Sequence, residues 1–185
     1  MTVNLLPILG LVWFVAELCL TRRSGPGAIS QDRGSLGVLW RVEMISIGCG
    51  IVAAFRFPAG AMPAHHLVYL FGICVLVLGL VLRVYSILYL GRFFTINVAI
   101  AADHRLIDSG PYRFVRHPSY TGALMLFLGL GLGIGNWLSV ALIIIPVFLA
   151  LRWRMQIEEA ALSEALGETY RRYMQRTKRL LPMIY

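Results

Sequence analysis

The apolar residues of this chain come in long unbroken runs separated by short polar breaks, without the alternation that marks a half-buried strand. Asn4 to Leu20 is the first run, closed by Thr21-Arg22-Arg23 and a Gly/Pro/Ser-rich loop through Ser35 that no helix should cross. Val38 to Phe55 is the second, ended by Phe57-Pro58-Ala59-Gly60 and Pro63; His66 to Leu90 is the third, with Arg83 near its far end. Hydropathy falls from Gly91 to Ser119, and Tyr120 to Leu151 is then apolar again and too long for one crossing. Four glycines at alternate positions from Gly129 to Gly135, followed by Asn136 and Trp137, read as a turn region. The last run therefore divides into a helical hairpin with arms of roughly 15 to 20 residues. The pattern predicts an all-α integral membrane fold of about five transmembrane helices, the fourth and fifth forming the hairpin. Ala160 to Arg179 predicts a C-terminal amphipathic helix on the membrane surface, with Leu162, Leu166, Tyr170 and Tyr173 along one face.

Composition sharpens this reading. Of 185 residues, 58% are hydrophobic and 14% charged, and the mean hydropathy is +0.74, so one membrane-embedded domain over residues 1–185 is expected. It divides into a three-span part, 1–87, and a more polar part, 88–185. The formal charge of +8 does not point to nucleic acid, because the basic residues cluster at the ends of apolar runs. They instead sort the loops. Arg22, Arg23, Arg33 and Arg41 fall after the first run, and Arg92, Arg105, Arg113 and Arg116 after the third. Arg152, Arg154, Arg171, Arg172, Arg176, Lys178 and Arg179 follow the fifth, whereas the opposite loops carry only Arg56. Five spans put all three basic segments on the cytoplasmic side and the N-terminus on the other.

The first run lacks a basic leader and a small-x-small cleavage site, so it reads as a span and not as a signal peptide. The closing Pro-Met-Ile-Tyr carries no prenylation box. Cys19, Cys49 and Cys74 lie in apolar runs with no metal-ligand spacing; they read as buried small hydrophobes, with neither disulfide nor metal implied.

Candidate chemistry concentrates between Asp103 and Gly122. Two histidines, several arginines and two tyrosines lie there around the Gly110-Pro111 turn. Pro118 suits a helix start, which puts His117 and Tyr120 at a helix mouth whose free backbone donors suit an anionic or hydroxyl-bearing ligand. The plain alternative makes Arg113 and Arg116 interfacial anchors with His117 and Tyr120 as belt residues. A second polar cluster, Arg154-Met-Gln-Ile-Glu158-Glu159, follows the last span; Arg154 and Glu158 share a helical face and could be an ordinary ion pair.

Taken together, Gly110-Pro-Tyr-Arg-Phe-Val-Arg-His-Pro-Ser-Tyr-Thr-Gly122, Arg154 with Glu158-Glu159, Leu166-Gly-Glu-Thr-Tyr170-Arg-Arg-Tyr173 and Leu180-Leu-Pro182 resemble the isoprenylcysteine carboxyl methyltransferase family in order and spacing. The resemblance covers about residues 88–185 and is most specific at Arg-His-Pro-Ser-Tyr. It implies an S-adenosyl-L-methionine pocket from His104, Arg105, Leu106, Ile107, Tyr112, His117, Pro118, Ser119 and Tyr120, closed by Glu158, with S-adenosyl-L-homocysteine as product. Arg154 matches the family arginine near the acceptor carboxylate, and the amphipathic C-terminal helix would cover the pocket. The segment Thr95 to Asp103 is shorter than in eukaryotic members, and Ile107 stands where a valine is usual.

The activity this implies is methylation of a carboxylate on a prenylated or otherwise amphiphilic acceptor reached from the bilayer. A carboxylate of ordinary pKa, about 3.3–3.7, is already ionised and needs no general base. A lipidic phenol, enol or phospholipid amine is the alternative acceptor, and a phenol would need His117 or Glu158 as base. A reading of another class is a non-catalytic membrane subunit or carrier whose path is lined by Glu17, Glu43 and Arg83. Against it, snorkelling or pairing accounts for all three: Glu17 and Arg83 lie near span ends, and Glu43 sits beside Arg41.

Overall fold

Several helix ends are set by glycine and proline. The computed structural model describes residues 5–21, 29–30, 34–95, 99–100 and 105–185. Helix α1 spans Leu6–Thr21, α2 Ser35–Arg56, α3 His65–Leu90, α4 Pro118–Ile134, α5 Trp137–Leu166 and α6 Glu168–Arg176. Gly34 (φ 74°), Gly91 (φ 57°) and Gly167 (φ 56°) supply the left-handed backbone at the start of α2, the end of α3 and the break between α5 and α6. Two short strands, Ile29–Ser30 and Ala99–Ile100, pair antiparallel and tie the loop before α2 to the one after α3. Arg22, Arg23, Arg33 and His104 lie outside the described residues.

Three helices, Ser35–Arg56, the run His65–Phe93 and Trp137–Leu166, are long and apolar enough to cross a membrane, and two shorter apolar helices, Leu6–Cys19 and Pro118–Ile134, lie among them. Their outer faces carry exposed Leu11, Phe14, Ile45, Val52, Phe55, Leu67, Phe71 and Val81. A surface of that kind is the face an integral membrane protein turns to lipid. Cys19, Cys49 and Cys74 lie on it, exposed. The expectation that they are buried is therefore corrected: in a membrane fold a small apolar side chain is as well placed against lipid as inside.

The hairpin forms, but its turn is much shorter than predicted. Helix α4 runs through Gly129, Gly131 and Gly133, and only Gly135 (φ 76°) and Asn136 make the bend. The Asn136 side chain accepts from the backbone N–H of Leu138 at 2.9 Å and Ser139 at 3.3 Å, and donates to the Phe57 carbonyl at 3.0 Å. One residue thereby caps α5 and fixes the bend to the end of α2.

The helical glycines serve packing. A Cβ on Gly129 would stand 2.5 Å from the Leu76 backbone nitrogen, and one on Gly79 would stand 2.7 Å from the Gly122 carbonyl oxygen. Helices α3 and α4 thus meet backbone to backbone, as membrane helices do where small residues line the seam. Gly129→Val is expected to cost about 1–3 kcal/mol by overpacking; thermal unfolding of the detergent-solubilised protein measures it, and an unchanged midpoint would mean the seam is looser than this.

The second arm also differs from expectation. Helix α5 is a single helix of 30 residues that continues well past the apolar stretch, carrying Arg154, Glu158 and Glu159 on a rigid extension. The predicted amphipathic helix over 160–179 is consequently two pieces: its first turns belong to α5, and α6 begins after Gly167. Its apolar face survives the break, since Leu162, Leu166, Tyr170 and Tyr173 all line one cavity.

Candidate active site

A cavity of about 390 Å³ opens between the helices. One end is polar, formed by Arg105, Leu106, Ile107, Tyr112, His117, Ser119 and Tyr120 with Arg154 and Glu158 of α5. The other is largely apolar, with Trp13 and Phe14 from α1, Leu39, Met44 and Ile47 from α2, and Phe127 from α4, and it also carries Glu17, Glu43 and Arg83. Trp13 meets Phe127 edge to face at 4.8 Å, which seats α1 against α4.

At the polar end the segment before α4 is shaped by short-range chemistry. Gly110–Arg113 is a single 3-10 turn with Pro111 near its start, and Pro118 opens α4. The strand-like backbone between them is held by the C-terminal tail: the N–H of Arg116 donates to the Lys178 carbonyl at 2.8 Å, and that of His117 to the Arg179 carbonyl at 3.0 Å. Tyr112 donates to the Ser86 carbonyl at 3.2 Å, and Tyr173 to the Tyr112 carbonyl at 2.6 Å. Burial raises the Tyr112 and Tyr170 hydroxyls well above the usual tyrosine range and pushes Tyr173 up to about 12. All three therefore stay neutral and serve as fixed walls and donors.

Arg154 and Glu158 are linked through Tyr120. The Nε of Arg154 donates to the Tyr120 hydroxyl at 3.1 Å, and that hydroxyl donates to Glu158 at 2.9 Å. Arg154 is 4% exposed, and its Nη1 donates to Ser35 Oγ at 2.7 Å. The ordinary surface pair considered for Arg154 and Glu158 is thus replaced by a positioned network. The His117 ring stacks on Tyr120 with centroids 5.4 Å apart.

The adjacent Glu159 turns the other way and anchors the site. Its carboxylate accepts from Arg116 Nε at 2.8 Å and from Arg179 at 2.6 Å, and meets His117 Nε2 at 3.1 Å. Hydrogen bonds that the Arg179 guanidinium donates to this carboxylate raise its pKa above the ordinary range, so the pair stays charged. Arg116 also donates to the Met174 and Thr177 carbonyls. It thereby clamps α5 to the C-terminal tail.

A family model described as phospholipid methyltransferase matches residues 67–169, just over half of the chain. Protein-S-isoprenylcysteine O-methyltransferase B of Arabidopsis thaliana is 31% identical over 143 residues, covering 76% of this chain and 72% of that protein. The chain belongs to the isoprenylcysteine carboxyl methyltransferase family. The Schizosaccharomyces pombe protein-S-isoprenylcysteine O-methyltransferase is 31% identical over 72% of this chain and 58% of its own. The solved structure of the eukaryotic intramembrane Ras methyltransferase superposes with a TM-score of 0.66 at 29% identity, covering 78% of this chain and 52% of that one. The chain thus spans little more than half the length of some of these carboxyl methyltransferases. The stretch matched by the family model begins in α3 and leaves out α1 and α2.

Of the site residues the methyltransferase resemblance suggested, Arg105, Leu106, Ile107, Tyr112, His117, Ser119, Tyr120, Arg154 and Glu158 all line the cavity. Pro118 is fully buried outside its lining and acts as the first residue of α4. Sequence reasoning missed Arg116, Glu159 and Arg179 as a unit, because their partners are brought together only by the tail. Of the two explanations offered for the intramembrane charges, snorkelling or pairing, Arg83 and Glu17 show pairing, through two hydrogen bonds. Arg41 donates to the Gly37 carbonyl at 3.0 Å, while Glu43 faces the cavity.

Proposed function

We propose that the protein is an S-adenosyl-L-methionine-dependent O-methyltransferase acting on the carboxylate of an isoprenylcysteine-like amphiphile. The observation that carries this is one cavity lined both by charged, hydrogen-bonded side chains and by apolar ones from α1, α2 and α4. Its volume falls within the range of about 300–1,000 Å³ usual for small-molecule sites.

The residues of the polar end fit the methyl donor by their chemistry. Glu158, with its side chain 31% exposed, offers a carboxylate to a cation, and Tyr112, Tyr120 and His117 offer ring faces beside it. Leu106 and Ile107 suit the flat apolar face of a base. When bound, the donor supplies a methyl group on a positive sulfur, which leaves with its bonding electron pair as the acceptor oxygen takes the methyl.

The chain's task is then alignment and exclusion of water. Arg154 orients the acceptor carboxylate at the junction of the two ends while Tyr120 and Ser35 fix its guanidinium. No proton has to move, since the carboxylate is ionised throughout the neutral range. The apolar end takes the acceptor's chain directly from the bilayer. Helix α6 and the tail cover the polar end, with the membrane crossed five times and the polar end toward the cytoplasm.

Calorimetric titration of S-adenosylhomocysteine into the detergent-purified protein tests the donor site. Micromolar binding is expected, reduced at least tenfold in both His117→Ala and Glu158→Ala. No binding to a folded parent protein would sink the methyltransferase reading in favour of the non-catalytic subunit.

A further inference from the structure

Beyond Thr177 the chain closes into a turn. The N–H groups of Leu180 and Leu181 both donate to the Tyr185 main-chain oxygen, at 2.6 and 2.8 Å, and those of Ile184 and Tyr185 return to the Leu181 carbonyl, each at 3.2 Å. Closing it puts Met183 in the left-handed region (φ 64°), where glycine or asparagine is the usual occupant. A long apolar side chain stands there instead, 92% exposed, with Ile184 beside it at 76% and Leu181 also exposed. The turn thus satisfies its own backbone groups and points its apolar side chains outward.

Two contacts fix the level at which this happens. Thr121 Oγ1, in the first turn of α4, donates to the Leu180 carbonyl at 2.8 Å. Tyr185 packs on Phe148 of α5, with ring centroids 5.9 Å apart, and its hydroxyl accepts from Arg179 at 3.3 Å. Arg179 is itself held by Glu159, eleven residues and about 16 Å further along α5 than Phe148. The turn therefore lies on the membrane side of the charged cluster, against the apolar part of α5. Arg152 follows Phe148 by one helical turn on the same face, and Trp153 is next to it; both are exposed. A basic and an aromatic side chain closing an apolar run mark the headgroup level. Lys178, just before the turn, is exposed as well, and among the described residues neither its ammonium nor the Arg152 guanidinium has an ion-pair partner.

An apolar tip beside two cations has the chemistry of an interfacial anchor. We propose that the turn Leu180–Tyr185 is seated in the membrane interface, with Met183 and Ile184 among the acyl chains and Arg152 and Lys178 on the phosphates of anionic phospholipids. Its backbone runs straight into the polar end of the cavity, because the N–H groups of Arg116 and His117 donate to the Lys178 and Arg179 carbonyls. Whatever steadies the turn steadies His117. Anionic lipid thereby favours the arrangement that binds the methyl donor, and donor affinity rises with it by linkage. The coupling rests on the methyltransferase reading above; the seating of the turn does not.

The test uses the full chain in nanodiscs of phosphatidylcholine, either alone or mixed two to one with phosphatidylglycerol. A nitroxide is placed at Met183→Cys in a background with Cys19, Cys49 and Cys74 changed to alanine. Electron paramagnetic resonance is expected to show the label relaxed by oxygen and not by an aqueous nickel chelate. Its mobility is expected to narrow when phosphatidylglycerol is present, and to stop responding to lipid in Arg152→Gln/Lys178→Gln. Calorimetric titration of S-adenosylhomocysteine into the unlabelled parent is expected to give at least about fivefold tighter binding in the mixed discs, the scale one basic residue gains near an anionic surface. Arg152→Gln/Lys178→Gln is expected to remove that difference while keeping the affinity found in phosphatidylcholine.

A label reached by the nickel chelate overturns the seating, as does one sheltered from both probes, which would assign the turn to a contact with a second copy of the chain. A lipid response that survives in Arg152→Gln/Lys178→Gln overturns the headgroup contact. Equal affinity of the parent in the two lipids overturns the coupling. If S-adenosylhomocysteine binds in neither, the donor reading fails, and the label alone still decides whether the turn is seated on anionic lipid.

Discussion

Arg154→Lys is expected to lower kcat for methyl transfer about 100-fold, the scale of a misplaced reacting group. Arg154 presents a planar fork: one edge donates to Tyr120, another nitrogen to Ser35, and the guanidinium is thereby locked at the boundary between the polar and apolar ends of the cavity. A lysine keeps the charge but concentrates it at one flexible point, and cannot serve Tyr120, Ser35 and a carboxylate in fixed directions together. Loss of the Tyr120 contact would also release Glu158, whose partner that hydroxyl is. Initial rates at saturating donor and acceptor measure the effect. A lysine variant with the parent's kcat would remove Arg154 from the reacting end.

Glu159→Ala is expected to be the most destabilising single change at the site, costing about 3–5 kcal/mol, the range for stripping one partner from a buried ionic group. The Glu159 side chain is 7% exposed and Arg116 10% exposed, so neither Arg116 nor His117 can recover its lost partner from bulk water. The loss would not stay local, because Arg116 also holds the carbonyls at the end of α6 and Arg179 ties the tail to α5. Thermal unfolding in detergent, with Glu159→Gln as the milder comparison, reads the cost. A midpoint equal to the parent's would show that the tail is held by other contacts.

The apolar helices were legible because a bilayer leaves a chain few alternatives to a helix, and Pro58, Gly91 and Pro118 mark their ends by chemistry that needs no partner. The glycines of α4 were not, since a glycine permits both a turn and a close helix contact. A clue lay in register: Gly72 and Gly79 on α3 repeat the seven-residue spacing of Gly122 and Gly129 on α4, and the two rows interlock. The Arg-His-Pro-Ser-Tyr segment announced itself by motif. Glu158 and Glu159 are neighbours in the chain but about 100° apart around a helix, so one sequence feature holds two unrelated jobs. What each does depends on residues 20 to 43 positions away, a distance no local pattern spans. Glu43 was discounted for its proximity to Arg41, yet consecutive odd positions on a helix point to different sides.

The cavity draws on two parts of the chain: α1 and α2 give it Trp13, Phe14, Leu39, Met44 and Ile47, and the segments from residue 105 onward give it Arg105, His117, Tyr120, Arg154 and Glu158. This makes the chemistry heritable separately from the taste for a substrate. Drift confined to two outer helices can retune which lipid is admitted while the transfer machinery is handed down intact, so relatives that share the pocket need not share a substrate.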